Sequence, residues 1–244
     1  SEVISLYLLK GEEKIYRGTE IEKTINSAFK KMETLVPANL LMQFNKIKNL
    51  FIASSKFEKD LSGKEEIIDS LTDAMLKQKT CYVKYHSFYD NKIKNFKIDP
   101  LHFFENKGGL YLFVNTTRFK EIRKLAVERI EELKITDASF RYPKEFNPEE
   151  RLNAAFDIVD DEPMQVKIWF SADQARYIRE RKWANEQKIT NKRDGSIVLE
   201  LNTSGWDDVK RWVLSYGSQA KVLQPTKLRK EIISDLEASR KIYK

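Results

Sequence analysis

Apolar residues return at helical spacing through the first quarter of the chain. In EIEKTINSAFKKMETLV, Ile21, Ile25, Ala28, Phe29, Met32, Leu35 and Val36 draw one apolar face, and Pro37 ends the run. Leu40, Leu41, Phe44, Ile47 and Phe51 make a second such face, and VISLYLL at 3–9 reads as a helix already under way. The polar SSKFEKDLSGK follows. A further helix is predicted from about Ser62, with Ile67, Ile68, Leu71, Ala74 and Met75 on one side and acids near its start.

The period then changes from helix to strand. TCYVKYHSF alternates, with Tyr82, Val83 and Tyr85 suited to a strand, and FKIDPLHFF carries Pro100, which suits a strand end or a bulge. LYLFVN and EELKIT are further strand candidates. Four or five short strands between Thr80 and Thr136 with tight connections predict a small barrel. Asn147 is placed to cap a short helix with Pro148 at its first position, and the acidic DIVDDEP reads as a linker.

From Met164 the pattern restarts. QVKIWFS is a strand, ADQARYIRERKW an amphipathic helix, and EQKITNKRDGSIVLELN a hairpin turning at Asp194-Gly195. SGWDDVKRWVLSYG is a helix with Ser204 as its cap and Gly217 at its left-handed end. Trp206 and Trp212 stand six apart on it, which predicts one in the core and one toward a partner. QAKVLQP is a strand ending at Pro225, and TKLRKEIISDLEASRKIY is the last helix. The order β-α-β-β-α-β matches a ferredoxin-like unit. The fold class is α+β: a helical linker region over 1–61, a small β-barrel with its leading helix over 62–140, a linker over 141–163, and a ferredoxin-like α+β unit over 164–244.

Composition narrows the function. The 244 residues are 33% charged and 41% apolar, as in a globular chain. There is no run of 18 apolar residues and no secretory pattern. Cys81 is the lone cysteine, so a disulfide framework is excluded, and the two histidines, His86 and His102, lack further ligands at metal spacing. A cytoplasmic protein without metal or cofactor is expected. No glycine-rich phosphate loop or nucleophile elbow occurs, so an enzyme is not expected. The net charge is +7, and it is concentrated. Between Lys79 and Ile130 stand eleven Lys and Arg against five Asp and Glu, a local field suited to a polyanion.

The centre of that field is GGLYLFVNTTRFKEIRKLAVERIEEL, Gly108 to Leu133. Arg118, Arg123 and Arg129 are the leading candidates, because a guanidinium forks onto phosphate and stacks on bases. Arg123 and Arg129 share a side if their strand is regular, and Lys124 alternates to the other. The competing assignment for these arginines is salt bridges to Glu121 or Glu128. Tyr85, His86 and Tyr111 are candidate stacking partners, whereas Phe113 is expected in the core. With Lys97, His102 and Lys120 these residues make the candidate nucleic-acid or effector face.

The same segments resemble the WYL domain, an Sm-like, SH3-type barrel found mostly in bacterial transcription regulators. YVKYHS is similar to its first strand and KIDPLHFF to its valine-x-proline segment. GGLYLFV stands at the naming Trp-Tyr-Leu motif, with Leu110 in place of Trp and with Tyr111 and Leu112 retained. RKLAVERI resembles an arginine-rich family stretch, matched at Arg123, Arg129 and Ile130, with Leu125 for Phe and Ala126 for a second Arg. Phe96 also stands where Arg is frequent, with Lys94 or Lys97 as a stand-in. Gly217, Val222, Pro225, Leu228 and Arg229 match the family's C-terminal extension. EVISLYLL and the helices after it resemble the region joining a winged helix-turn-helix to the barrel.

The resemblance implies the effector-sensing and dimerising part of a transcription regulator. Its barrel would bind single-stranded DNA or a nucleotide signal. A helix-turn-helix expected before Ser1 would read double-stranded operator DNA, and the chain would be a homodimer. The alternative is a stand-alone Sm-like RNA-binding protein.

Overall fold

The computed structural model describes residues 19–35, 59, 61–159 and 161–244. The helices expected at 3–9 and around Leu40 to Phe51 lie outside those residues. The chain divides into two units between Lys144 and Glu145.

In the first unit, α1 (Glu20–Thr34) begins where the Thr19 hydroxyl accepts the Glu22 N–H at 3.3 Å. Ile21, Ile25, Phe29 and Met32 share its half-buried face, while Ala28 and Leu35 stay exposed. The next helix, α2 (Glu65–Leu76), starts three residues after Ser62, beyond a turn in which Gly63 adopts φ +76°. Its Ile68, Leu71 and Ala74 are buried against the barrel strands.

The barrel strands are β1 (Lys79–His86), β2 (Ile93–Asn106), β3 (Gly109–Thr116), β4 (Glu121–Ala126) and β5 (Ile130–Ser139). They form one antiparallel sheet in the order β4-β3-β2-β1-β5, so the last strand returns to the first. A 3-10 turn, Val127–Arg129, carries the chain from β4 to β5. The long β2 pairs with β1 through its first half and with β3 through its second, and the register shifts between Pro100 and His102. Proline has no N–H to give a ladder, which accounts for its place at that irregularity. Cys81, Val83 and Tyr85 alternate into the core beside Ile98, Leu110, Leu112 and Val114.

The second unit opens with α3 (Pro148–Ala154), whose Asn147 side chain accepts the N–H groups of Glu149 and Glu150. There follow β6 (Met164–Phe170), α4 (Ala172–Arg179), β7 (Glu186–Asn191), β8 (Ile197–Thr203), α5 (Trp206–Leu214), β9 (Ala220–Gln224) and α6 (Thr226–Ile242). The antiparallel order β7-β8-β6-β9 is that of a ferredoxin-like sheet. Val166, Ile168, Phe170, Ile197, Leu199 and Leu201 alternate toward one face, where Ala175, Val209, Val213, Leu228 and Ile232 of the helices meet them. Gly195 turns the β7–β8 hairpin at φ +82°.

Two expectations are corrected. The stretch expected as a linker over 141–163 is largely built into the second unit. Phe156 N–H donates to the Ser204 carbonyl, and Val159 N–H to the Asp208 carboxylate at 2.8 Å. Ser204 does not cap α5. Gly205 occupies the cap at φ +94°, and the Asp161 carboxylate accepts the N–H groups of Gly205 (2.6 Å) and Trp206 (3.0 Å). A carboxylate there answers both the orphan donors and the positive end of the helix. Of the two tryptophans on α5, Trp212 joins Phe156 and Phe170 in an aromatic cluster, and Trp206 donates from its indole to Glu231. Among the described residues no helix is long and apolar enough to cross a membrane.

Candidate nucleic-acid interface

The basic residues of the barrel gather at two places. The first is the turn between β3 and β4. Thr117 donates from its backbone N–H (3.3 Å) and its hydroxyl (3.4 Å) to the Lys97 carbonyl, which sews the turn to β2. Lys120 closes the turn at φ +54°, its N–H bonded to the Thr116 carbonyl. Arg118, Phe119 and Lys120 are thereby exposed at the tip, and Arg123 follows on β4. Phe119 is 57% exposed, with the Arg118 guanidinium 5.2 Å and the Arg123 guanidinium 5.7 Å from its ring centre. Arg123 also donates from Nε and Nη2 to one oxygen of Glu121. An exposed pair of this kind is weak, so the guanidinium remains available to a stronger anion.

The second place is the hairpin between β1 and β2. Phe88 is 80% and Tyr89 97% exposed there, and the Arg129 guanidinium lies 4.7 Å over the Phe88 ring. Bonds from Lys94 and Ser87 hold the Asp90 carboxyl down to about 2, so it keeps its charge and pins the hairpin base through Lys94.

Arg123 and Arg129 do not share a regular strand. The 3-10 turn breaks the period between them and carries Arg129 off β4. Lys124 does alternate away from Arg123: it stands across from Phe113, with its ammonium 5.6 Å over that ring, while Arg123 stands across from Val114. Phe113 is fully buried, but on the sheet face opposite Leu112 and Val114, with Phe104 at 4.6 Å.

The two tyrosines expected as platforms are placed differently. Tyr85 is in the barrel core, edge-on to Phe96 at 6.3 Å, and its hydroxyl receives the Ala126 N–H at 3.2 Å. A buried ring offers no face to a base, so Tyr85 is left out of the interface. Tyr111 stacks on Phe104 at 5.5 Å and carries the Lys59 ammonium 4.3 Å from its centre; Lys59 also donates to its hydroxyl at 2.6 Å and pairs with Glu128. Burial opposes the charge on Lys59, and its bonds to Glu128 and Tyr111 outweigh that and raise its pKa. His86 is exposed at the end of β1, bonded to Asn91, and His102 meets Tyr142 edge-on on another strand.

The structure therefore joins Lys97, Arg118, Lys120 and Arg123 around one turn and sets Arg129 on Phe88. Phe88, Tyr89 and Phe119 were missed in the sequence. The available signal was an aromatic residue within a polar turn, in SFYDNK and TTRFKE, with no periodic apolar neighbour to bury it.

Comparison with known proteins bears on both units. The WYL domain model matches residues 66–135, and the WCX domain model matches 162–239. A solved CRISPR Cas-related protein matches 74% of this chain and 51% of its own at 14% identity, with a TM-score of 0.53, a likeness of fold alone. Proteasome accessory factor B/C (PafBC) of Arthrobacter aurescens matches 72% of this chain at 14% identity, with a TM-score of 0.36. The chain spans about half of the first solved chain and 27% of the second. No curated protein matches it.

Proposed function

We propose that this chain, which belongs to the WYL-domain family and carries a WCX domain after its barrel, is the effector-sensing and dimerising part of a transcription regulator. The barrel rim holds a short single strand of DNA. One observation carries this reading: Phe119 and Phe88 are exposed rings, each with an arginine guanidinium over it. Bases stack on such rings and on guanidinium planes, while the same arginines meet phosphates. A short turn and a hairpin tip suit unstacked bases better than a duplex, whose bases are already stacked. A strand held there regulates if it prefers one of two forms of a dimer.

The test is fluorescence anisotropy with a labelled single strand of about ten nucleotides, a span within the usual site sizes, across a salt series. Arg118→Ala with Phe119→Ala, and separately Arg129→Ala, are expected to weaken binding more than about tenfold with the fold intact, from a stacking worth of roughly 1–3 kcal/mol per base. Affinity should fall with salt, and the same sequence as duplex should bind less well. Wild-type affinity in both variants overturns this placement. No binding tighter than about 100 μM at low salt, the weak end of non-specific association, overturns the single-strand reading in favour of a nucleotide signal. Clear preference for the RNA form of the strand favours an RNA-binding role instead.

A further inference from the structure

The second unit carries a basic, aromatic corner that the barrel reading does not use. Between Arg176 and Arg193 stand seven Lys and Arg against two Glu. At the end of α4, the Arg181 guanidinium lies 4.3 Å over the Tyr177 ring and 5.9 Å from Trp183. Tyr177 is 39% exposed, and Arg181 and Lys182 are exposed beside it.

The corner is rigid at its root. Trp183 sits 6.0 Å from Tyr177 and 4.7 Å from Trp212, and Trp212 reaches Tyr216 and Phe170, so the rings run without a gap from surface to core. Trp183 is fixed further by its indole N–H on the Ile178 carbonyl and its backbone N–H on Gln187. Arg179 places two donors on Asn191 Oδ1, at 3.0 and 2.8 Å, which ties α4 to β7 and leaves the other edge of its guanidinium for an anion. A platform already held in place loses little freedom when a ligand lands on it.

We propose that the Tyr177–Arg181–Trp183 corner is a second single-strand contact, where a base stacks on the Tyr177–Arg181 pair and Arg179 and Lys182 meet the flanking phosphates. The class of ligand rests on the reading given for the barrel; the site does not. Charge complementarity selects the occupant, since a segment with seven cations to two acids, three of the cations (Arg179, Arg181 and Lys182) exposed at the end of α4, suits a polyanion, and the exposed aromatic selects one with flat bases. Arg181 over Tyr177 repeats the arrangement of Arg129 over Phe88.

The test uses the full chain and a labelled oligothymidylate of about twenty nucleotides, long enough for more than one contact by usual site sizes. Tyr177→Ala with Arg181→Ala is made in the wild type and in the Arg118→Ala, Phe119→Ala, Arg123→Ala background. Loss of one stacked base should weaken binding about five- to a hundredfold in either background. Tyr177→Phe keeps the ring and should bind as wild type, while Arg181→Lys keeps the charge but not the plane and should fall between. If the barrel variant binds normally and the corner variant does not, the barrel placement fails and this contact stands. If the corner variant binds as wild type in both backgrounds, the contact is overturned. It is overturned equally if polyglutamate competes as well as the oligonucleotide does, which identifies an acidic protein surface as the partner.

Discussion

Tyr85 receives the backbone N–H of Ala126 on its hydroxyl at 3.2 Å, across 41 residues of sequence. Its ring meets Phe96 edge-on at 6.3 Å. Phe96 and Ala126 are the two positions where the chain lacks an arginine frequent in the WYL pattern, and both converge on this one tyrosine. Tyr85 thereby ties β1 to β2 through a ring contact and to the end of β4 through a backbone bond, and the exposed rings of Phe119 and Phe88 lie elsewhere, each beside an arginine.

Tyr85→Phe removes that acceptor from a buried N–H. An unsatisfied buried donor costs about 1–3 kcal/mol, so chemical denaturation should show a lower midpoint with unchanged slope. Single-strand affinity should stay within about twofold at a common fraction folded, because the stacking rings are untouched. A wild-type midpoint would show that the bond contributes nothing.

Lys59→Met leaves Glu128 without its ion partner, and Glu128 already has a second carboxylate oxygen buried without a hydrogen bond. Breaking such a pair should destabilise by about 1–3 kcal/mol at neutral pH. Because the folded pKa of Lys59 is raised above its ordinary 10.5, the contribution is fully present below that value and is lost as pH rises through the folded one. The melting gap between wild type and variant should therefore be constant from neutral pH to the ordinary lysine value and narrow above it. A gap that stays undiminished far above the ordinary lysine value refutes this account of Lys59.

Asp161→Ala strips α5 of its cap and should cost about 0.5–2 kcal/mol. Gly205→Ala should cost more, because a Cβ there would lie 2.9 Å from the Val159 carbonyl at φ +94°. Thermal melts of the two variants give the ranking, and an unchanged melt for Gly205→Ala contradicts it.

Burial, with the Asp99 charge nearby, pushes the Cys81 thiol up to about 12. Almost no thiolate exists at pH 8, so a thiol reagent should leave the native protein unmodified and label it promptly once unfolded. Prompt labelling of the native protein would place Cys81 outside the core.

Elements with strong local periodicity were legible in the sequence. Ile168 and Leu199 sit in alternating runs, Gly195 in a turn pair, and Ile68 and Leu71 at helical spacing, and each states its own environment. The 3-10 turn was not legible, because VER between Ala126 and Ile130 has no composition that distinguishes it from strand. The cap on α5 was equally hidden. Ser204 is the residue type local rules select, whereas Asp161 arrives from 44 positions earlier and depends on the tertiary fold. At the candidate interface the charge was visible and the exposed phenylalanines were not, since exposure of Phe119 is decided by where its turn is stitched to Lys97. Tyr85 was read as a platform from its chemistry, but strand alternation with Cys81 and Val83 turned it inward.

The return of β5 to β1 also has a bearing on biosynthesis. Emerging from a ribosome, the chain offers β2 to β1 within a few residues of its release, but the other edge of β1 has no partner until Ile130–Ser139 is out. For that interval the nascent barrel presents a bare strand edge able to pair with any neighbouring chain. A message ending before the codon for Ile130 should yield aggregate, whereas one reaching the codon for Lys144 includes all five strands and lets the sheet complete before the second unit is translated.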